Sequence, residues 1–508
     1  MARATARDIA MQGQPAVLRL AHGYDHLAAA DAVAALETAD AVLADAPTLA
    51  EAYVLRGAAL KAMGRFAEAI AAWQAALAHG PARPAVLASL GNAHAELGDD
   101  DAAAAALRRA LALAPGLAAA QASLVSVVAR RQDDDATEAL CREMLASDAG
   151  CVNAHLHLAD VLARRGQTAE AQAHRHTAYR RQNVFVVPAT RPGAPTALVL
   201  LTAEDGNIPL RYLLSRDRYT VIKWLIDHAT PNQYSRLPPH DFILNAVGEP
   251  ELPAATQAAA EFVRQRAAVA FLNRPDRVAR TGRPALPALL AGLQGVVVPK
   301  VARWRAGDPP PALGWPALVR PLGAHGGAGL LRVADAASLA EVAAGRAQND
   351  VTAFVGFASA DRLYRKYRAI FIDRKPYPYH LAIGDDWLVH YISANMLGHA
   401  ARRAEEARFL ADPAAAIGAA AWAALSAIAV RLDLDYAGID FSILPDGCVL
   451  VFEANATMVV HPETPGGVLD FKNPAVARIL AAFDAMAAER SRPGATSNGA
   501  HASASHRR

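Results

Sequence analysis

Residues 440–455 read DFSILPDGCVLVFEAN, and this stretch decides how the second half of the chain is interpreted. Its central Asp-Gly pair lies between two apolar, strand-like runs, which predicts a β-hairpin. The hairpin brings Asp440 opposite the Glu453 end, and Glu453 and Asn455 face the same side of one strand. Oxygen ligands from two adjacent strands are what Mg²⁺ requires when it also coordinates polyphosphate. An edge hairpin with solvated carboxylates is the alternative.

An earlier stretch, residues 319–330, reads VRPLGAHGGAGL and predicts a strand that ends in a glycine-rich turn. Backbone amides without neighbouring Cβ atoms can close over phosphate oxygens, and Arg320 supplies a cation beside them. Glycine-rich loops also form ordinary hairpins, so this turn alone leaves both interpretations open. The glycines concerned are Gly323, Gly326, Gly327 and Gly329.

The order of these parts is the basis of a family resemblance. An α/β region is followed by the glycine-rich turn, then by an aspartate, a glutamate thirteen positions later and an asparagine two positions after that. In this order the chain resembles the ATP-grasp superfamily, which includes D-alanine ligases, glutathione synthetases and ribosomal-protein glutamate ligases. The resemblance covers about residues 197–485. It implies that Asp440, Glu453 and Asn455 hold two Mg²⁺ ions, which Mn²⁺ can replace, against ATP.

The same resemblance assigns roles to other residues. It implies that Arg283 and Arg320 contact ATP at positions where the family usually has lysines. The stretch 351–357 resembles the hinge strand whose backbone pairs with adenine, which gives Thr352, Phe354 and Val355 as nucleotide-binding residues; an ordinary strand is the alternative.

Two further residues, Arg368 and Asn395, are the implied catalytic residues. Arg368 lies on a strand where family members carry an arginine for phosphate or substrate. Asn395 lies in a loop that resembles the one beside nucleotide and substrate, although a plain turn also fits. The sequence departs from the family pattern by having arginines in place of both lysines, no hinge glutamate, and Gly438 where an arginine is expected.

Two sets of residues recur every 34 positions in the first third of the chain. They are Pro47, Pro81 and Pro115, and Gly23, Gly57 and Gly91. With small residues at equivalent places between them, the pattern resembles the tetratricopeptide repeat, a helix–turn–helix unit. It predicts about five units that stack into a superhelix with a concave surface. That surface binds a peptide or protein partner or docks on the neighbouring domain; a simple spacer is the alternative.

Residues 188–196 are rich in proline and predict a linker. Beyond them, strands at 197–202, 219–226 and 241–247 and a short helix at 208–215 predict a parallel α/β sheet. The predicted protein is therefore multidomain, with an all-α tetratricopeptide solenoid followed by an α+β ATP-grasp fold that has a preceding α/β domain. The predicted boundaries are 1–187 for the solenoid, 188–196 for the linker, 197–275 for the α/β domain, 276–360 for the ATP-grasp lid, 361–488 for its core and 489–508 for a disordered tail.

Composition limits the remaining function classes. The chain of 508 residues has 51 basic and 49 acidic side chains, which gives no case for nucleic-acid binding. Three scattered cysteines are too few for a disulfide framework or a four-ligand zinc site, and no secretory signal is recognisable, so we expect a cytoplasmic protein. The uncharged stretch 413–430 predicts a packed helix of a soluble protein, without a membrane partner.

Taken together, these features predict an ATP-dependent carboxylate–amine ligase that forms an amide or peptide bond through an acyl phosphate and releases ADP. Its substrate is an amino acid, a peptide or a protein, and the repeats hold the peptide or protein partner. The rival hypothesis is a nucleotide-binding but non-catalytic tetratricopeptide scaffold. Phosphoryl transfer to an acceptor other than a carboxylate stays open.

Overall fold

The computed structural model describes residues 15–29, 31–203, 206–251, 254–322, 329–342, 348–391 and 393–492. The chain divides into two compact units, Met1–Gln182 and Asn183–Arg508. Within the described parts, none of the helices is both long and apolar enough to cross a membrane.

The described part of the first unit consists of helices that pair into five consecutive hairpins. They are α1 (Ala16–Ala28), α2 (Ala32–Asp45), α3 (Ala50–Ala62), α4 (Phe66–His79), α5 (Pro84–Glu96), α6 (Asp100–Leu113), α7 (Ala118–Ala129), α8 (Asp134–Ser147), α9 (Val152–Arg164) and α10 (Thr168–Arg181). The predicted helical repeats are confirmed, including the last two, in which the marker residues are missing.

The turns inside the hairpins explain the 34-residue period at the level of the backbone. Gly64, Gly98, Gln132 and Gly166 recur at that spacing, and their φ angles are 74°, 79°, 55° and 78°. Each turn therefore needs a left-handed residue, for which glycine is the least strained choice. The turn of the fourth hairpin keeps the conformation with Gln132, so the repeat persists where the sequence marker is lost.

The recurring glycines within the helices have a different role, which is close packing between helices. A Cβ atom added at Gly57 would lie 2.5 Å from Nε1 of Trp73, and one added at Gly91 would lie 2.7 Å from Cγ of Leu107. Both distances are shorter than any normal contact. The first helix of a hairpin can therefore approach the second only because these positions lack a side chain.

We predict that Gly57→Ala destabilises the first unit by about 1–3 kcal/mol, because the added methyl group overlaps the buried indole of Trp73. Urea denaturation followed by circular dichroism measures this change. Gly116→Ala is the matched control, since a Cβ atom there meets nothing within 4 Å. Equal stability of the two variants would contradict the proposed helix contact.

The second unit contains three β-sheets in its described residues. The first sheet has the order β1-β3-β2-β4-β5, in which only β1 runs antiparallel to its neighbour. Its strands are β1 (Val184–Val187), β2 (Thr196–Leu201), β3 (Thr220–Leu225), β4 (Phe242–Asn245) and β5 (Ala270–Leu272). The predicted parallel α/β sheet is thus present, with strand bounds within two residues of those expected.

The other two sheets are mainly antiparallel. The second has the order β7-β10-β8-β9, with β7 (Val301–Trp304), β8 (Ala317–Pro321), β9 (Leu331–Val333) and β10 (Asn349–Ala353). The third has the order β12-β11-β13-β14-β6, with β6 (Val296–Val297), β11 (Tyr364–Ile372), β12 (Lys375–Gly384), β13 (Tyr436–Ile443) and β14 (Val449–Asn455).

The main core of this unit is formed by the first and third sheets together with the helices that follow them. The described helices are α11 (Ala254–Arg266), α12 (Pro275–Val278), α13 (Leu286–Leu289), α14 (Ala336–Val342), α15 (Ala400–Ala411), α16 (Pro413–Ile417), α17 (Ala419–Leu432) and α18 (Asn473–Arg490). Fully buried Phe371, Phe409, Tyr436 and Phe483 join strands of the third sheet to α15 and α18. The third sheet is therefore anchored in the main hydrophobic core of this unit.

The unit boundary and one strand differ from the sequence-based prediction. The predicted solenoid ended at residue 187, but β1 pairs with β3 and belongs to the second unit, so the division falls after Gln182. The predicted linker 188–196 connects two strands of one sheet. Strand β6, within the predicted lid range, pairs in parallel with β14 of the third sheet.

Two helix predictions were also wrong in detail. Residues 208–215 form turns instead of a short helix, because the N–H of Ile208 donates to Ala246 O at 2.7 Å and Pro209 has no N–H to donate. The uncharged stretch 413–430 forms two helices, since Gly418 at φ 92° ends α16 before α17 starts. Of the predicted tail, residues up to 492 are described, and α18 extends to Arg490.

Candidate functional site

A cleft lies between the second and third sheets. Its walls come from β8 and β10 on one side and from β11, β13 and β14 on the other, with the segments 354–357 and 387–390 at its edge. Arg320 and Leu318 point into it from β8, and Asp350 and Thr352 from β10. Both pairs are two residues apart, as expected when one face of a strand lines a cavity.

Polar residues of the third sheet face one another across four strands, and the first three of them line the floor of the cleft. Glu453 on β14 is opposite Asp440 on β13, Asp440 is opposite Arg368 on β11, and Arg368 is opposite His380 on β12. We call these four residues the charged row. The predicted hairpin, with Asp440 opposite Glu453, is confirmed by the strand register.

Two β-bulges adjoin the charged row. The register shifts between Asp440 and Phe441, and again between Arg368 and Ala369. In each case the partner strand carries one extra residue, Phe452 on β14 and Tyr379 on β12. A bulge changes which side chains share a face, and bulges occur often beside active sites.

Asp440 is fully buried and is held by two cations from β11. Its Oδ1 accepts from Nε of Arg368 at 2.5 Å, its Oδ2 accepts from Nη2 of Arg368 at 2.9 Å, and Nζ of Lys366 lies 2.8 Å from Oδ2. Burial alone would raise the pKa of Asp440, but Lys366 and Arg368 outweigh burial and hold this pKa well below its usual range. Asp440 is therefore a permanent anion at neutral pH.

The second sheet presents its own polar row to the cleft. Asp350 on β10 lies between Arg303 on β7 and Arg320 on β8 in the strand register. Burial, and then the charge of nearby Arg283, lower the pKa of the Arg320 guanidinium. Two cations therefore lie close together on this side, which is favourable only next to anions.

Glu453 is the carboxylate that these two arginines approach. Its Oε2 lies 3.2 Å from Nη2 of Arg283 and 3.9 Å from Nη1 of Arg320. The Glu453 side chain keeps 24% of its accessible surface, whereas that of Asp440 keeps 1%. Of the two facing carboxylates, Glu453 is the more accessible from the cleft.

The opposite end of the cleft is apolar and aromatic. Phe354 packs edge-on against Trp387 with centroids 5.8 Å apart, and Phe357 packs against Phe452 at 4.9 Å. The guanidinium of Arg332 stacks on Phe354 at 4.1 Å. A flat, apolar group fits this end, and an anion fits the arginine-rich end.

The cleft brings together most of the described residues that the sequence predicted for the site. Those that line it are Arg283, Arg320, Thr352, Phe354, Val355, Arg368, Asp440 and Glu453. Asn395, Asn455 and Gly329 are not among the lining residues. Gly323, Gly326 and Gly327 lie outside the described residues, so the phosphate-binding role of the turn stays a prediction.

Asn395 and Asn455 are both engaged in local turns. Asn395 has a left-handed backbone with φ 48°, and its Oδ1 accepts from the N–H of Gly398 at 3.2 Å. Oδ1 of Asn455 accepts from the N–H and the hydroxyl of Thr457 at 3.0 and 3.2 Å. The plain-turn alternative for the Asn395 loop accounts for its contacts.

Several lining residues were missed by sequence reasoning, and four of them are polar or aromatic side chains that bear on the chemistry. These four are Lys366, Asp350, Trp387 and His390. A signal for Lys366 was present, because it precedes Arg368 by two positions on a strand and must share its face. The other three carry no local signal, since the fold of the second sheet and of the segment after β12 brings them to the cleft.

A divalent cation would have to be held by the facing carboxylates. Asp440 and Glu453 offer hard oxygen atoms of the type that Mg²⁺ prefers, so their chemistry fits. Within the described residues, no group of three or more His, Cys, Asp or Glu side chains is arranged to hold a metal. Further oxygen ligands would therefore come from a phosphate, from water or from the amide of Asn455.

Behind the loop at the cleft edge lies a buried polar network. Glu406 on α15 accepts from the hydroxyl of Tyr391 at 2.8 Å and from the N–H of Leu381 at 3.2 Å. Nζ of Lys472 lies 2.9 Å from Glu463 and 4.4 Å from the centre of the Tyr391 ring. Burial raises the pKa of Glu406 to about 6, although Lys472 and the hydrogen bonds oppose this change. The network fixes Tyr391 to the third sheet.

Comparison with known proteins identifies part of the first unit. Residues 84–116, which span α5 and α6, match the family model of the tetratricopeptide repeat. With the 34-residue period and the helical hairpins, this match supports a tetratricopeptide array in the first unit. No curated protein matches the chain.

Solved structures with similar folds align with about a third of the chain. YrrB, described as a tetratricopeptide protein with an unusual peptide-binding site, is 19% identical, with a TM-score of 0.30, covering 36% of this chain and 94% of its own. PilF of Pseudomonas aeruginosa is 17% identical, with a TM-score of 0.30, and the alignment covers 32% of this chain and 75% of PilF. MamA of Desulfovibrio magneticus RS-1 is 18% identical, with a TM-score of 0.30, covering 34% and 98%.

We predict that Asp440→Asn destabilises the second unit by about 2–4 kcal/mol, because it leaves the partly buried cations Lys366 and Arg368 without their counter-charge. Glu453→Gln, a change of the same kind on the neighbouring strand, should cost less than about 1 kcal/mol, because Glu453 is partly exposed and makes a longer contact. Urea denaturation near neutral pH measures both. Equal stability of Asp440→Asn and wild type would mean that the ion pairs do not hold β11 to β13.

A second prediction concerns Glu406, whose pKa is raised on folding. Such a group contributes stability below about pH 4.5 that is lost as the pH rises through about 6. A rise of this pKa from 4.5 to about 6 corresponds to about 2 kcal/mol. The wild-type free energy of unfolding should therefore contain a fall of about 2 kcal/mol, between about pH 4.5 and values above 6, that is absent in Glu406→Gln. Urea denaturation at several pH values measures this difference.

The control for this experiment is Glu261→Gln. The pKa of Glu261 is lowered by its hydrogen bond with Arg264, so this variant should change the pH profile in the opposite direction or hardly at all. A profile of Glu406→Gln that runs parallel to wild type would show that Glu406 does not titrate in this range.

Proposed function

We propose that the second unit is an ATP-dependent carboxylate–amine ligase of the ATP-grasp type, which acts through an acyl phosphate. The observation that carries this proposal is the cleft between two sheets that each present an in-register polar row. Asp440 and Glu453 face the cleft from one sheet, and Arg320 faces it from the other. Anion-binding cations opposite paired carboxylates are the arrangement that phosphoryl transfer requires.

The aromatic end of the cleft is suited to packing against a nucleotide base. Phe354, Trp387 and Phe452 supply flat apolar surface there. In the described part of the chain, the backbone N–H and C=O of Val355 have no hydrogen-bond partner within the protein. An adenine ring that packs against these side chains can pair its polar edge with Val355, as the predicted hinge requires.

The arginine-rich end of the cleft is suited to binding the phosphates of the nucleotide. Arg283 and Arg320 lie side by side, and the lowered pKa of Arg320 reflects burial and the neighbouring charge. An anion between them relieves this repulsion, and each guanidinium can bind two phosphate oxygens at once. These arginines therefore take the part that lysines have in the family.

Asp440 and Glu453 are the proposed ligands of Mg²⁺, and Asn455 completes the set if its amide releases Thr457. The metal ion would neutralise charge that develops on the phosphate oxygens. Arg368, bound to Asp440, fixes the position of that carboxylate and keeps it ionised.

The chemistry needs no nucleophilic side chain. ATP would supply a γ-phosphoryl group that turns a substrate carboxylate into an acyl phosphate, so that an amine can displace phosphate and form the amide. The residues of the cleft have to hold the two reactants together, screen their negative charges and keep water away from the intermediate.

The helical repeats of the first unit favour a protein or peptide as the binding partner of this ligase. Residues 84–116 match the tetratricopeptide repeat, and stacked repeats of this kind present an extended concave surface for binding. We propose that the array binds the peptide or protein that carries one of the reacting groups.

One observation favours the scaffold hypothesis as the second candidate. Asp440 already has two cationic partners, and a carboxylate neutralised in this way binds Mg²⁺ weakly. A chain that binds nucleotide through its arginines but lacks turnover would act through its repeats alone. The two hypotheses make opposite predictions for ADP release.

We predict that Glu453→Gln lowers ADP release by at least about a hundredfold, because the accessible carboxylate next to Arg283 is lost. ADP release is measured with ATP, Mg²⁺ and a panel of amino acids and peptides, with hydroxylamine present to trap any acyl phosphate as a hydroxamate. Glu261→Gln is the matched control, since Glu261 is similarly exposed and pairs with Arg264, but lies outside the cleft.

The ligase proposal requires hydroxamate from wild type and from Glu261→Gln, and its loss in Glu453→Gln. If wild-type protein binds ATP but releases no ADP with any acid in the panel, the scaffold hypothesis is favoured. ADP release that is equal in all three proteins would exclude Glu453 from the reaction.

A further inference from the structure

The contacts of Asp440 conflict with its proposed role as a metal ligand. Both of its oxygen atoms are bound by cations, Oδ1 by Nε of Arg368, and Oδ2 by Nη2 of Arg368 and by Nζ of Lys366. A carboxylate that is held by two cations has little affinity for a third. One of the two therefore has to leave before Asp440 can accept a divalent cation.

Arg368 is the more firmly held of the two cations. It is directly opposite Asp440 in the register of β11 and β13, and its guanidinium makes two hydrogen bonds to the carboxylate, at 2.5 and 2.9 Å. A planar guanidinium that meets both oxygen atoms of a carboxylate is a strong and specific pair. If Arg368 left, two charge-assisted hydrogen bonds would be lost at once.

Lys366 is held by a single contact. It precedes Arg368 by two positions on β11, so its side chain reaches Asp440 diagonally, and its ammonium lies 2.8 Å from Oδ2. An ammonium on a flexible four-carbon stem can change partners without a movement of the backbone. Among the described residues, Asp440 is the one carboxylate within ion-pair distance of Lys366. A new partner for this ammonium would therefore come from a ligand.

The position of Lys366 along β11 determines which part of a ligand it can reach. Tyr364, Lys366 and Arg368 are each two residues apart and share one face of the strand. Tyr364 packs against Phe357 of the aromatic end, with ring centroids 5.0 Å apart, whereas Arg368 belongs to the charged row. Residues two apart on a strand are separated by about 7 Å, so Lys366 lies midway between the aromatic end and the charged row.

The cleft gives the ammonium of Lys366 room to move. Lys366 lines the cleft and keeps 19% of its side-chain surface, while the Asp440 carboxylate that it contacts keeps 1%. The ammonium therefore shields Oδ2 while it stays in place. Its departure would free a lone pair of that oxygen atom for another cation.

We infer that Lys366 is an exchangeable counter-charge, which neutralises Asp440 without nucleotide and moves to the polyphosphate when nucleotide binds. Its ammonium then contacts the phosphates that lie between the base and the terminal phosphoryl group. Oδ2 of Asp440 becomes available to a divalent cation, while Arg368 keeps this carboxylate in position. The inference rests on the nucleotide binding of the proposed function, and it adds an order of events in which phosphate binds first and metal second.

The test uses the full chain and Lys366→Met, which removes the ammonium but keeps a side chain of similar length. Isothermal titration calorimetry measures two affinities, for Mn²⁺ without nucleotide and for ATP in EDTA without a metal ion. The exchange predicts opposite changes. The Kd for Mn²⁺ should fall at least about fivefold, because Asp440 loses a competing cation. The Kd for ATP should rise at least about tenfold, because the phosphates lose a charged partner.

Lys375→Met is the matched control, since Lys375 is exposed on β12 and does not line the cleft. It should change neither affinity by more than about twofold, because exposed charges at a distance are screened. If the Kd for Mn²⁺ is unchanged in Lys366→Met, Lys366 does not compete with the metal. If the Kd for ATP is unchanged, the ammonium does not reach the phosphates. Either result overturns the inference.

A second variant, Lys366→Arg, keeps the positive charge and guards against misfolding of Lys366→Met. Its Kd for Mn²⁺ should stay within about twofold of wild type, while its Kd for ATP without metal should rise at least about threefold, because a forked guanidinium leaves a carboxylate less readily. A structural role of Lys366 alone would not tighten Mn²⁺ binding in one variant only. A gain in Mn²⁺ affinity as large in Lys366→Arg as in Lys366→Met would overturn the inference.

The results separate this inference from the ligase proposal. If wild-type protein forms hydroxamate and Lys366→Met has wild-type affinities for Mn²⁺ and ATP, the ligase stands and the exchange fails. If Lys366→Met shows the two opposite changes but wild-type protein forms no hydroxamate with any acid, the exchange stands in a nucleotide-binding scaffold and the ligase fails.

Discussion

The ion pairs of Asp440 with Lys366 and Arg368 are the interaction on which the arrangement of the cleft depends. A fully buried carboxylate is tolerated only with close counter-charges, and here both cations come from the neighbouring strand β11. A slip of one residue between β11 and β13 would turn Asp440 to the other face and leave all three charges unpaired. The pairing therefore selects one register, and that register positions Arg368 and His380 as well.

The sequence contained enough information for the strands but not for the bulges. An Asp-Gly pair between two apolar runs predicts a hairpin, and the hairpin has the predicted facing of Asp440 and Glu453. The extra residues Phe452 and Tyr379 are apolar or aromatic like their neighbours, so no local pattern marks them. If the side chains of β14 alternated strictly, Glu453 would lie on the same face of the sheet as Val451. The bulge at Phe452 is what places Glu453 opposite Asp440. The extra residues are fixed by packing, as Phe452 against Phe357 illustrates.

The repeats show the opposite relation between pattern and structure. Glycines recur because each turn needs a positive φ and each helix pair needs a close approach, so the sequence carries both constraints directly. Gln132 shows the limit of this reasoning, since it adopts the same conformation without the marker. The misplaced helix at 208–215 and the break at Gly418 have the same origin, because a single hydrogen bond or a single φ angle decided each.

The charges around the cleft determine whether the Glu453 carboxylate pairs with arginines or is free to bind a metal ion. Among the residues that the structure describes, four cations line it, Arg283, Arg320, Lys366 and Arg368, against three carboxylates, Asp350, Asp440 and Glu453, which leaves one net positive charge. Two of the cations, Arg283 and Arg320, approach Glu453 from the opposite wall. An anion that binds both arginines would draw them from Glu453, whose carboxylate then lacks a counter-charge and gains affinity for a divalent cation. In the proposed function this exchange would couple phosphate binding to metal binding, so a metal ion alone should bind the cleft weakly.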